Sequence, residues 1–175
     1  EILNLVPDNF IAWHAGKSRW KKYNLLNKNS IGIEIQNPGH SYKYLNFSLK
    51  QIYSLKRLIK FLLKKYKILD KNVLGHSDIA PERKKDPGEK FPWKNLAKEG
   101  LCTWHTLSKQ DLKNARKIPI PNKYQNIFLK NLYKIGYNSI RGQSFKINLK
   151  KLTMAFQRRY RQELVDGKVD KECLL

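Results

Sequence analysis

His76 and Asp86 stand in one segment, Gly75 to Gly88, that is broken by Pro81, Pro87 and Gly88. Prolines and glycines at that density exclude a regular helix and predict an ordered loop. A loop that folds back on itself brings the imidazole and the carboxylate to one point, and His with Asp is a ligand pair that suits zinc. Between them runs Arg83-Lys84-Lys85, and a lysine placed beside the metal could stabilise an oxyanion. On residue types alone, a merely polar surface loop fits the same segment.

Two further groups carry chemistry. Glu34 lies between isoleucines in Ser-Ile-Gly-Ile-Glu-Ile-Gln, residues 30–36, on the face that also holds Gly32 and Gln36. Facing solvent it is an ordinary polar residue; facing a cleft it is placed for general-base work. Gly32 leaves room for a ligand near the backbone. Trp13-His14-Ala15-Gly16 joins a large aromatic, an imidazole and two small residues, a composition that suits the wall of a ligand pocket and equally a partly buried structural histidine. His40 and His105 read as structural or exposed. Together these residues admit metal-assisted hydrolysis of an amide: His76 and Asp86 hold zinc, Glu34 takes the water proton, and Lys84 stabilises the tetrahedral oxyanion. A catalytic zinc normally has three protein ligands and one open position, and only two are evident here.

The elements that must position these groups follow from periodicity. Glu1–Val6 alternates weakly, and Ser30–Gln36 is a clear strand stopped by Asn37-Pro38-Gly39. Residues 16–30 read as a long irregular loop. Ser48 is a good N-cap for a helix over about residues 49–67, whose apolar side chains keep a three/four spacing. A short helix is predicted over Trp93–Glu99, ended by Gly100. Residues 117–122, Lys-Ile-Pro-Ile-Pro-Asn, make a linker. Amphipathic patterns over 123–135 and 149–164 follow, then an Asp166-Gly167 turn into a third helix that the chain barely begins. The predicted fold is α/β: a central mixed β-sheet flanked by helices, with a small all-α C-terminal appendage. Its divisions are 1–116, the linker 117–122 and 123–175, with both ends expected to be cut.

The chain has 175 residues and a formal charge of +22, from 36 Lys and Arg against 14 Asp and Glu. The excess is lysine scattered through every segment, which suits an anionic partner as well as simple solvated faces. A nucleic-acid binder would concentrate basic residues on one helix or interleave them with stacking aromatics, and neither pattern is present. Cys102 and Cys173 lack the close spacing of a structural zinc site. No apolar run approaches the ~20 residues that span a membrane.

Three segments taken in order resemble the type 2 N-acetylmuramoyl-L-alanine amidases, zinc enzymes related to the peptidoglycan recognition proteins: Ala12-Trp13-His14-Ala15-Gly16, Ser30-Ile31-Gly32-Ile33-Glu34-Ile35, and Gly75-His76-Ser77-Asp78-Ile79-Ala80-Pro81 through Lys84-Lys85-Asp86-Pro87-Gly88. The resemblance covers about residues 1–105. It implies hydrolysis of the amide between N-acetylmuramic acid and L-alanine in peptidoglycan or muropeptides. It further implies that His76 and Asp86 are zinc ligands, Glu34 the catalytic carboxylate and Lys84 the transition-state stabiliser. Trp13 and His14 would line the substrate groove, and Arg83 would contact substrate carboxylates. The family's remaining ligand is a histidine on a strand upstream of Trp13-His14-Ala15-Gly16, so a partner segment carrying it is expected before Glu1; His14 is placed beside the metal rather than on it. The tail, with Phe156-Gln157 and Val165-Asp166-Gly167-Lys168-Val169-Asp170, looks like a peptidoglycan-binding domain of three short helices. That appendage points to the periplasm or cell envelope, with the cytoplasm as the alternative. The competing reading is a non-catalytic peptidoglycan-recognition module, although a pure binder has no need of both a base and an oxyanion stabiliser.

Overall fold

Ser48 opens the longest helix in the way its residue type predicts. Its hydroxyl accepts the Gln51 N–H at 3.2 Å, while the Gln51 side-chain oxygen accepts the Ser48 N–H at 2.9 Å, a reciprocal capping box. In the computed structural model, which describes residues 1–175, this helix (α1) spans Leu49–Tyr66. Its Ile52, Leu55 and Ile59 are buried against Phe91, Trp93, Leu96 and Leu101. The remaining helices are α2 (His76–Ile79), α3 (Trp93–Ala97), α4 (Lys109–Ala115), α5 (Asn122–Ile135), α6 (Phe145–Tyr160) and α7 (Lys171–Leu174). No helix is long and apolar enough to cross a membrane.

Several elements differ from expectation, each for a local reason. The prolines of the Gly75–Gly88 segment limit helix length without abolishing helix: α2 completes one turn before Pro81. Helix α6 starts four residues early because Ser144 caps it, its hydroxyl accepting the Ile147 N–H at 3.4 Å. Helix α4 is absent from the sequence reading because it buries only Ala115 and so carries no apolar stripe; Ser108 caps it through the Asp111 N–H at 3.1 Å.

The α/β class holds, but the sheet is smaller than predicted. It is a two-stranded antiparallel ribbon, β1 (Arg19–Trp20) with β2 (Tyr23–Asn24), inside the stretch expected to be irregular. Residues 1–6 and 31–36 form no backbone ladder. Alternation specifies which side chains share a face, whereas a strand also needs a neighbour for its N–H and C=O groups. Ile31 and Ile33 accordingly stay 44% and 36% exposed.

A second core cluster joins segments distant in sequence. Ala15, Trp20 and Leu26 pack with Phe128, Leu129, Leu132, Tyr137, Leu152, Ala155 and Cys173, so the C-terminal helices share a core with the ribbon region. The tail is closed by a fully buried Gln157, whose amide nitrogen donates to Asp166 and to the Lys168 carbonyl while its oxygen accepts the Asp166 and Gly167 N–H groups. Arg161 pairs with Asp166 and Asp170, and Arg116 reaches across to Glu163 and Glu172. Cys102 and Cys173 are free, buried thiols in different clusters.

Leu152→Ala should lower stability by about 2–5 kcal/mol in a denaturant titration, because its side chain is fully buried in the shared cluster. Burial alone would raise the Asp166 carboxyl, but the Lys168 N–H, Gln157 and Arg161 outweigh it and hold the group below its usual value. A folded pKa below the unfolded one contributes stability that is complete above the unfolded value and is lost as pH falls through the folded value. The acid limb of helicity, followed by circular dichroism below about pH 4, should therefore be shallower in Asp166→Asn than in the wild-type protein.

Candidate active site

The Gly75–Gly88 loop is closed by its own backbone. The Ser77 N–H donates to the Asp86 carbonyl at 2.8 Å, and the Arg83 and Lys84 N–H groups both donate to the Ala80 carbonyl, turning the chain after Pro81. Gly75 permits the closure: a Cβ there would lie 2.8 Å from Pro87 Cδ and 3.2 Å from the Trp93 ring. The result brings His76 Nδ1 to 3.0 Å from Asp86 Oδ2. The other ring nitrogen, Nε2, faces the Ala15 carbonyl at 3.2 Å. If Nε2–H donates to that carbonyl, a neutral ring turns the Nδ1 lone pair toward a carboxylate. Such an approach requires a positive centre between them, either a second ring proton or a metal ion. Burial alone would raise the Asp86 carboxyl, but the His76 hydrogen bond, with the charges of His76 and Lys84, holds it below its ordinary value.

Arg83 bonds to main-chain carbonyls of the protein itself. Its guanidinium donates to the Ala15 carbonyl and, at 2.8 and 3.1 Å, to the Lys17 carbonyl. It thereby ties the Trp13–Gly16 segment to the loop. A run of three cations does not reveal which member turns toward the protein. The space at Gly32, expected to admit a ligand, is filled by His14: a Cβ on Gly32 would sit 2.4 Å from His14 Cγ. The two His14 nitrogens lie 3.0 Å from the Ala12 carbonyl and from the Ser30 hydroxyl, so the ring is committed to holding residues 12–15 against residues 30–32.

Trp13, His14, Glu34, His76, Lys84 and Asp86 all line one cleft of about 1310 Å³, whose wall also includes the apolar face of α1. Trp13 is 88% exposed at its margin. Six of the seven predicted site residues thus share one cleft wall, and Arg83, exposed, is not among its lining residues. The opposite flank of the loop rests on Tyr44, which sequence reasoning missed. Its hydroxyl donates to the Pro87 carbonyl at 2.6 Å and accepts the Lys90 N–H at 3.1 Å. Burial pushes the phenol up to about 12, so it remains a donor. Nothing near Tyr44 in sequence marks it, because its partners are main-chain groups more than 40 residues away.

His76 and Asp86 suit a metal in type and in spacing. Two donors of a tetrahedral zinc with bonds of about 2.0–2.1 Å lie about 3.3 Å apart, close to the separation found. The outer hydrogen bond from Nε2 to a carbonyl is the contact that commonly orients a ligating imidazole. No group of three His, Cys, Asp or Glu side chains gathers at this point, so the pair supplies two corners of such a site.

Comparison with known proteins finds similarity to amidases. A family model described as N-acetylmuramoyl-L-alanine amidase matches residues 1–89. The N-acetylmuramoyl-L-alanine amidase AmiD of Escherichia coli is 36% identical over 176 residues, covering 98% of this chain. The 1,6-anhydro-N-acetylmuramyl-L-alanine amidase AmpD of the same organism is 39% identical over 93 residues, 53% of this chain. The chain spans 63% of the length of AmiD and 49% of AmpD. Among solved structures, AmiD in complex with the substrate anhydro-N-acetylmuramic acid-L-Ala-D-gamma-Glu-L-Lys superposes with a TM-score of 0.86 at 34% identity, covering 99% of this chain and 69% of that one. AmpDh3 from Pseudomonas aeruginosa superposes with a TM-score of 0.82 at 35% identity, covering 98% and 68%.

Gly32→Ala should displace the His14 ring and cost about 1–3 kcal/mol, the usual effect of overpacking. The His14 ring resonances in an NMR spectrum should shift, while those of His105, in another part of the fold, stay in place.

Proposed function

Because the chain belongs to the N-acetylmuramoyl-L-alanine amidase family, we propose that it is a zinc hydrolase cleaving the amide between the lactyl group of N-acetylmuramic acid and the L-alanine of a peptidoglycan stem peptide. The observation that carries this reading is the convergence of His76 and Asp86 on a cleft that Glu34 and Lys84 also line. His76 Nδ1 and the Asp86 carboxylate would hold the metal. Bound there, zinc supplies Lewis acidity toward the scissile carbonyl and lowers the pKa of its water.

The chain's own groups do the rest. Glu34 accepts the proton of the attacking water and returns it to the leaving amine. The Lys84 ammonium faces the oxygen on which negative charge develops. Trp13 offers a flat apolar face to the sugar or the lactyl group, and His14 forms the adjoining wall. The cleft has room for a muropeptide, and the structures of similar fold bound to anhydromuramyl peptides favour that substrate class. The third metal donor would be a histidine on an upstream strand. The unladdered backbone of residues 31–36, with Ile31 and Ile33 exposed beside it, is a suitable edge for such a strand. The C-terminal helices would add a peptidoglycan-binding surface, a feature that favours the cell envelope as the site of action.

Release of stem peptide from purified muropeptides tests the proposal. Turnover should disappear with a chelator and return with zinc. Glu34→Ala and Lys84→Ala should each lower kcat by at least about a hundredfold while zinc content is unchanged. His76→Ala and Asp86→Ala should lose the metal itself, read by elemental analysis. Binding of muropeptide without turnover in the presence of zinc would point to a recognition module instead.

A further inference from the structure

Asp78 lies two residues from His76 and is 1% exposed, yet the hydrolytic reading gives it nothing to do. Its carboxylate is fully engaged. Oδ1 accepts the Tyr137 hydroxyl at 2.6 Å, and Oδ2 accepts the Gly75 N–H at 2.8 Å and Arg159 Nη1 at 2.9 Å. Arg159 Nη1 also donates to the Val73 carbonyl at 3.0 Å, so one guanidinium nitrogen grips both the approach to the loop and its first turn. The guanidinium carbon lies 4.2 Å from the centre of the Trp93 ring, which fixes its plane. Burial pushes the Tyr137 phenol well above its ordinary value, so it remains a donor.

We propose that Arg159 and Tyr137, contributed by the C-terminal helical region, are positioning residues that hold the His76–Asp86 loop closed through Asp78. The inference rests on the proposed amidase reading of that loop, and it gives the C-terminal helices a part in the reaction besides any contact with peptidoglycan. Docking alone does not require this chemistry. An apolar trio of similar volume docks two surfaces as well or better, because burying an ion pair costs desolvation that its attraction seldom exceeds. What the polar network adds is direction. The Asp78 carboxylate caps the first turn of α2 through Gly75, and the axis of that turn sets where the His76 ring points. Tyr137 and Arg159 approach the carboxylate on different oxygens and so hold it against rotation. The same region reaches the loop's surroundings again where the Gln162 side chain donates to the Phe91 carbonyl at 2.6 Å.

Tyr137→Phe removes one hydroxyl and keeps the ring, and Arg159→Met removes the charge and keeps the length. Amide hydrogen exchange of residues 73–88, compared with α1, measures loop opening without reference to activity. In Tyr137→Phe, exchange at Gly75, Ser77 and Asp78 should accelerate about tenfold, the effect of one buried hydrogen bond, while α1 exchanges at wild-type rates. The kcat for muropeptide should fall by a similar factor with KM unchanged. Arg159→Met should show the larger effect on both, and Arg159→Lys should partly restore them. Loop exchange at wild-type rates in Tyr137→Phe, or equal acceleration in the loop and α1, would overturn the proposal and leave a merely structural contact. Absence of turnover in the wild-type protein counts against the amidase reading, whereas the exchange comparison judges the brace by itself.

Discussion

Closure of the Gly75–Gly88 loop is the constraint around which the rest of the molecule is arranged. Bringing His76 and Asp86 together costs about 2 kcal/mol of chain entropy for a loop of about eleven residues, before any cost of ordering its side chains. Prolines reduce that cost by narrowing the unfolded ensemble, and the Ser77–Asp86 backbone bond offsets part of the remainder. The loop is nevertheless too short to make a core of its own. It is held from three sides: by Tyr44 at Pro87, by Arg83 reaching to Ala15 and Lys17, and by the buried carboxylate of Asp78 facing the C-terminal helices. Each support comes from a different part of the chain, so the site exists only in the assembled fold.

That arrangement explains what could be read in advance. Local rules were legible: the Ser48 cap and three/four spacing located α1, and the Pro-Gly density located the loop. The His76–Asp86 pair and its lysine were legible because their types and spacing belong to one short segment. Long-range pairings were not. Asp78 and Arg159 are 81 residues apart, and nothing local distinguishes this arginine from its neighbours Arg158 and Arg161. The sheet was over-read because alternation in residues 31–36 reports a two-faced segment and says nothing about which backbone lies beside it. Gly32 was legible as a place of close approach, but the group approaching it is His14.

The two hydrophobic clusters divide the molecule differently from the chain order. One belongs to α1, α3 and the residues following the loop; the other unites the ribbon region with α5, α6 and Cys173. The Gly75–Gly88 segment runs between them, with Leu74 and Ile79 packed on the second cluster and Val73 on the first. A boundary drawn at the Pro-rich stretch 117–122 therefore separates sequence patterns more cleanly than it separates packing. Even that stretch is engaged at its start, where the Lys117 N–H donates to Asp170 and the Ile118 carbonyl accepts the Lys171 N–H.

The acceptors used to hold the loop are largely main-chain carbonyls: those of Ala15, Lys17, Val73 and Pro87. A carbonyl survives any substitution at its position that leaves the backbone path intact. A substitution at the exposed Lys17 can therefore leave its contact in place, whereas loss of the Tyr44, Arg83 or Arg159 side chain removes the donor itself. Half of each contact is invisible to side-chain chemistry. Paired substitutions across a lineage would consequently carry little record of these contacts, and Asp78 with Arg159 and Tyr137 is where compensating changes should concentrate.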